Sequence, residues 1–118
     1  MDYAELVIEL AERTQDPAFV HRANQMVSQA ETDLNQRFKP FEYPTITPIS
    51  ENKTNWLLRE SQETYITAVL RQYYLLKSDA EMAQAYSGYL DKMVMDKKHA
   101  DRTTRFNRRK YTIGGCTP

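Results

Sequence analysis

Glycine occupies only three positions in this chain of 118 residues, Gly88, Gly114 and Gly115. Hairpin-rich folds and phosphate-cradling loops need glycine at positive-φ turns, so this scarcity points away from both and toward an all-helical fold. Apolar periodicity agrees. Asp2 followed by Glu5 has the form of a capping box, and Tyr3, Leu6, Val7, Leu10 and Ala11 recur on one face to about Arg13. Asp16-Pro17 then offers an N-cap acceptor and a residue suited to the first helical position. Behind it Phe19, Val20, Ala23, Met26, Val27, Ala30, Leu34 and Phe38 form one stripe about five turns long.

Pro40, Pro44 and Pro48 interrupt this pattern at intervals of four, which excludes helix and predicts an extended strap over about residues 39–55. Phe41, Tyr43, Ile46 and Ile49 lie along it, and a solvated linker would not carry them. Asn55-Trp56-Leu57-Leu58 follows as an apolar anchor, with Trp56 expected to fasten the end of the strap to the bundle. Ser61 then caps a helix whose face is Tyr65, Ile66, Val69, Leu70, Tyr73 and Leu76. Ser78 with Glu81 forms a second capping box, opening a last helix with Met82, Tyr86, Leu90, Met93 and Val94 on its face. The two helices make a hairpin about Lys77-Ser78-Asp79.

The expected architecture is an all-α four-helix bundle over residues 1–101, with the strap inserted between the second and third helices. A basic, extended tail over 102–118 completes it, since apolar periodicity stops near Asp101 and Gly-Gly and Pro follow. Phe19, Met26, Leu34, Val69, Leu70 and Leu90 are the core expected from the stripes.

Charge narrows the function classes. The chain balances 16 Lys and Arg against 16 Asp and Glu, so bulk electrostatics do not select nucleic acid or an anionic membrane. Locally the balance breaks: residues 1–20 hold five acids and one base, while residues 97–110 hold seven Lys or Arg against Asp101 alone. No run approaches the ~18 apolar residues of a membrane span, and the opening acidic segment is unlike a signal peptide. The single cysteine, Cys116, predicts a fold held by packing without an internal disulfide. His21 and His99 have no ligand partner at i+3 or i+4, and Glu5, Glu9 and Glu12 read as a solvated helix face. Neither a catalytic constellation nor a cofactor or metal site is expected.

The candidate contact residues fall in two places. Tyr74, next to Tyr73 and so turned about 100° from it, joins Tyr43 and Tyr111 as an aromatic available to partners. Arg102, Arg105, Arg108, Arg109 and Lys110 suit either a phosphate backbone or an acidic protein surface, with Tyr111 and Ile113 supplying burial in the second case. The residues leave these two readings open.

The order of features resembles a known family. The opening Tyr-x-x-Leu helix is followed by Asp16-Pro17-Ala18-Phe19 and by Ala30-Glu31-Thr32-Asp33-Leu34-Asn35-Gln36-Arg37. Then come Asn55-Trp56-Leu57-Leu58, Tyr65, Tyr73-Tyr74 and a basic terminus with Tyr111-Thr112-Ile113. This is similar to the small head-tail adaptors, also called connector or head-completion proteins, that tailed bacteriophages and gene transfer agents place beneath the portal. The resemblance implies a non-catalytic virion protein at the head-tail interface, assembled in the host cytoplasm. It implies a ring, usually twelve-fold, docked on the portal protein through the residues from Arg102 to Ile113 and touching a tail or stopper protein. Phe41, Tyr43, Ile46, Ile49 and Tyr74 would contact neighbouring subunits, and DNA would pass through the channel without sequence-specific binding. The rival reading is a small helical regulatory module that binds nucleic acid through its basic tail.

Overall fold

Asp2 begins the first helix by accepting the backbone N–H of Glu5 on its carboxylate at 2.9 Å, the capping bond expected from the sequence. The computed structural model of the protein describes the backbone of residues 1–38 and 43–116 and the side chains of residues 1–38 and 43–103. Its helices are α1 (Tyr3–Thr14), α2 (Phe19–Arg37), α3 (Ile49–Asn52), α4 (Trp56–Glu60), α5 (Gln62–Leu76) and α6 (Ala80–Cys116). The fold is all-helical, with six helices among the described residues where four were expected.

The two additional helices are short, and only the second has a side-chain cap at its N-terminus. Asn55 accepts the N–H of Leu58 at 3.0 Å and turns the Trp56–Leu58 anchor into a helical turn. Ile49–Asn52 follows Pro48, the last proline of the strap, after which nothing forbids helical dihedrals. Helix therefore starts directly after it, inside the segment expected to be extended. Phe41 lies outside the described residues.

All six core residues expected from the stripes are buried, each at 3% exposure or less. The core also takes Leu6 and Leu10 from α1, Leu57 and Leu58 from α4, and an unbroken run from Thr64 to Leu70. A helix buried nearly all round is one wrapped by its neighbours, and α5 is the central element here, with α2, α4 and α6 against it. Val20, Leu76 and Met82 depart from expectation, being exposed near the ends of their helices. The α5–α6 turn is capped by Asp79, which accepts the Met82 N–H at 3.1 Å, while Ser78 takes a left-handed conformation at φ 57°. Among the described residues Gln15 and Lys53 also have positive φ, so these helix-terminating turns are made without glycine.

A larger correction concerns the C-terminus. Over residues 102–116 the expected extended tail is instead a continuation of α6, which runs unbroken to Cys116, and residues 117 and 118 lie outside the described residues. Loss of apolar periodicity means only that a segment has no core to face. Residues 102–113 contain neither proline nor glycine and are rich in Arg, a good helix former, so a helix already begun propagates at little cost.

Trp56 anchors the strap as expected. Its ring stacks on Tyr43 at 5.2 Å and 7°, meets Phe38 edge-on at 5.6 Å, and donates its indole N–H to the Pro44 carbonyl at 2.9 Å. As the only tryptophan it reports this corner alone. Its emission should be blue-shifted in the native protein and move red on denaturation, in step with the helical circular dichroism. Emission that already matches free indole in the native protein would contradict the stacked arrangement.

Candidate interaction site

Two residues one helical turn apart on α2 decide how the strap lies. Asn35 pairs with the backbone of Ile46 from both sides of its amide, accepting the N–H at 2.8 Å and donating to the C=O at 3.1 Å, as a neighbouring strand would. Glu31, buried at 5% exposure, accepts the Ile49 N–H at 2.9 Å and the hydroxyl of the fully buried Tyr65. Asn55 completes the network by donating to the Thr47 carbonyl at 2.9 Å and to the Tyr65 oxygen at 3.2 Å. Burial raises the carboxyl pKa of Glu31, against the pull of the Tyr65 and Ile49 hydrogen bonds, and burial with the adjacent carboxylate raises that of Tyr65. Among the described residues Glu31 has no cation opposite it.

This arrangement changes the meaning of the strap residues. Tyr43, Ile46 and Ile49, assigned by the resemblance to contacts with neighbouring subunits, are buried in the subunit's own core. They have no surface to offer a partner, because the network above holds the strap down and the Tyr43 hydroxyl donates to Asp101 of α6 at 2.8 Å. Tyr74 is partly buried, stacked on Tyr86 at 5.4 Å and 15°. Nothing in the sequence marked Glu31, Asn35 or Asn55 as strap ligands. The signal available was two acceptors, Glu31 and Asn35, spaced i, i+4 beside the apolar stripe.

What remains exposed lies elsewhere. At the start of α2 the Asp16 carboxylate accepts the Ala18 N–H at 3.0 Å and the Tyr73 hydroxyl at 2.8 Å and pairs with Lys77 at 3.3 Å. The Tyr73 bond, then the Ala18 N–H, hold its pKa below the ordinary carboxylate value, and burial pushes the Tyr73 hydroxyl up to about 12. This node joins the end of α5 to the start of α2 and borders an open groove of about 520 Å³ between α1 and α2. Ile8, Ala11, Pro17 and Val20 line its apolar part and Glu12 its edge. Ile8 and Val20 stand 60% and 55% exposed.

The basic segment follows the packed part of α6. Lys97 bridges Glu60 and Asp101 at 3.3 Å each, which sets residues 97–101 beside α4 and the strap. Arg102 is exposed and engaged by the surrounding structure. The side chains of Arg105, Arg108, Arg109, Lys110, Tyr111 and Ile113 lie outside the described residues, although their backbone belongs to α6. His21 and His99 are exposed, and among the described residues no three His, Cys, Asp or Glu side chains are grouped to hold a metal ion. No described helix is long and apolar enough to cross a membrane.

No protein-family model, curated protein or solved structure matches this chain. The functional reading therefore rests on the geometry and on the order of sequence features.

Proposed function

We propose that the chain is a non-catalytic structural adaptor of a tailed phage or phage-like particle, forming a ring on the portal and joining the head to the tail. The observation that carries this reading is the construction of α6. Its first half packs Ala83, Leu90 and Val94 into the bundle. The same unbroken helix then continues through Arg102, Arg105, Arg108, Arg109 and Lys110. A helical docking segment on a packed bundle suits a connecting protein, because a segment already helical when it meets a partner loses less entropy there. Arg side chains orient such a rod by bidentate contacts with carboxylates, and Tyr111 and Ile113 supply burial. Portal, neighbouring adaptors and a tail or stopper protein are the partners of this reading, with DNA passing through the channel unread.

Deleting residues 102–118 tests it. The melting temperature should change little, since among the described residues the core of α6 ends at Val94, while portal binding should be lost. The sharper variant is Tyr111→Ala with Ile113→Ala and every Arg kept. Protein docking should weaken at least about tenfold, whereas binding to a short DNA duplex, which depends on charge, should persist and fall steeply with salt. Portal binding at wild-type affinity by the double variant would overturn the docking role, and tight DNA binding by the intact chain at about 150 mM salt would favour the regulatory, nucleic-acid reading instead.

A further inference from the structure

The packed part of α6 is apolar over a wider arc than its own bundle covers. Ala83, Leu90 and Val94 are its buried face. Beside them Met82, Tyr86, Tyr89 and Met93 follow at steps of four, three and four, which at about 100° per residue sets them on one stripe roughly 60° wide. Tyr89 is 56% exposed and Met82 37%, while Tyr86 and Met93 are half-buried. The stripe is already ordered. Tyr86 stacks on Tyr74 of α5 at 5.4 Å and meets Tyr89 edge-on at 5.6 Å, and the Met93 sulfur accepts the Thr67 hydroxyl at 3.4 Å. Side chains fixed in this way lose little freedom when a partner covers them.

The pattern also says what covers them. Met-Tyr-Tyr-Met at steps of four, three and four reads the same in both directions, so an antiparallel copy of the stripe matches it in residue type and in spacing. About a two-fold axis between Ser87 and Gly88, Met82 of each copy meets Met93 of the other and Tyr86 meets Tyr89. Charge fits the same register. Glu81 and Lys92 are exposed and, among the described residues, in no ion pair. Lys92 of each copy falls opposite the turn from Glu81 to Ala85 of the other, which gives the contact two Glu81–Lys92 pairs. We infer that this stripe is a self-recognition surface, on which two copies of the chain pair through antiparallel α6 helices. An isologous contact closes at two copies, so the pair is a form of the chain apart from any ring and goes beyond the portal docking proposed above.

Sedimentation velocity on the full chain tests it. Wild type should show a monomer–dimer equilibrium with no larger species. Tyr89→Glu, at an exposed position next to the axis, should weaken pairing at least about tenfold with the helical circular dichroism unchanged. Glu81→Lys and Lys92→Glu should each weaken it, and the two together in one chain should restore it, because every pair is then reversed and intact. Asp96 faces Asp79 of the other copy in this register, so Asp96→Asn should tighten pairing. Cross-linking fixes the direction. In a Cys116→Ser background, Met82→Cys chains mixed with Met93→Cys chains should form an intermolecular disulfide, whereas Met82→Cys chains alone should not, their two sulfurs being set about 16 Å apart along the helices. Protein that stays monomeric, species that grow beyond two copies, Tyr89→Glu pairing like wild type, a charge swap that fails to recover, Asp96→Asn that weakens pairing, or Met82→Cys that cross-links to itself as well as to Met93→Cys would each overturn the inference.

Discussion

Glu31→Ala is expected to destabilise the protein by roughly 2–4 kcal/mol, while Glu31→Gln stays within about 1 kcal/mol of wild type or exceeds it at neutral pH. The alanine variant strips the Ile49 N–H and the Tyr65 hydroxyl of their shared acceptor in a buried place, and an orphaned buried donor costs about 1–3 kcal/mol. Glutamine keeps an acceptor there and removes a charge that burial penalises. The pH dependence has a definite sign. Burial raises the folded-state pKa of Glu31 above its unfolded value, so the folded protein binds this proton more tightly and the carboxylate costs stability once ionised. That cost is fully present above the folded pKa and disappears as pH falls through it toward the ordinary glutamate range. Any advantage of Glu31→Gln at pH 7 should therefore shrink as pH is lowered. Tyr3, Glu51 and Tyr65 are the titratable groups coupled to this site, and none is a cation that would reverse the sign. Chemical denaturation of the three proteins between pH 7 and 5 reads the differences directly. An advantage that widens on acidification would show that the carboxylate is stabilised in place.

Leu70→Ala should cost about 2–5 kcal/mol, the usual loss when a buried leucine leaves a cavity that its neighbours only partly fill. Leu70 is 3% exposed on α5, the helix enclosed by α2, α4 and α6, so few directions of collapse are open. Against a total stability of about 5–15 kcal/mol this is a large share, and the melting temperature should drop by at least about 8 °C. Leu76→Ala on the same helix is the control. The sequence pattern puts both residues on one apolar face, but Leu76 is 39% exposed and its loss should stay within about 0.5 kcal/mol. Equal losses at the two positions would contradict the packing described for α5.

The contrast between Leu70 and Leu76 marks where the sequence stops being legible. Periodicity reports which face of a helix is apolar, and it identified the stripes of α2, α5 and α6 together with the Asp2 cap, because these are local consequences of 3.6 residues per turn. It does not report where a neighbouring helix ends, so it could not tell that Val20 and Leu76 run past their cover. The candidate site was less legible still. Phe41, Tyr43, Ile46 and Ile49 stood out as apolar residues in a proline-rich segment, and the pattern carried no information on whether their own bundle or a partner would bury them.

That choice belongs to tertiary structure, which for Tyr43, Ile46 and Ile49 selects the bundle. Glu31, Asn35 and Asn55 turn the backbone polar groups of the strap inward and satisfy them 8–18 residues away in sequence, and no local rule links such positions. The opposite charges of the two ends are written in the sequence itself, at residues 1–20 and 97–110. Only the packing of α5 against α1, α2 and α6 brings Asp16 to Lys77 and Arg13 to Glu63, contacts that no local rule links.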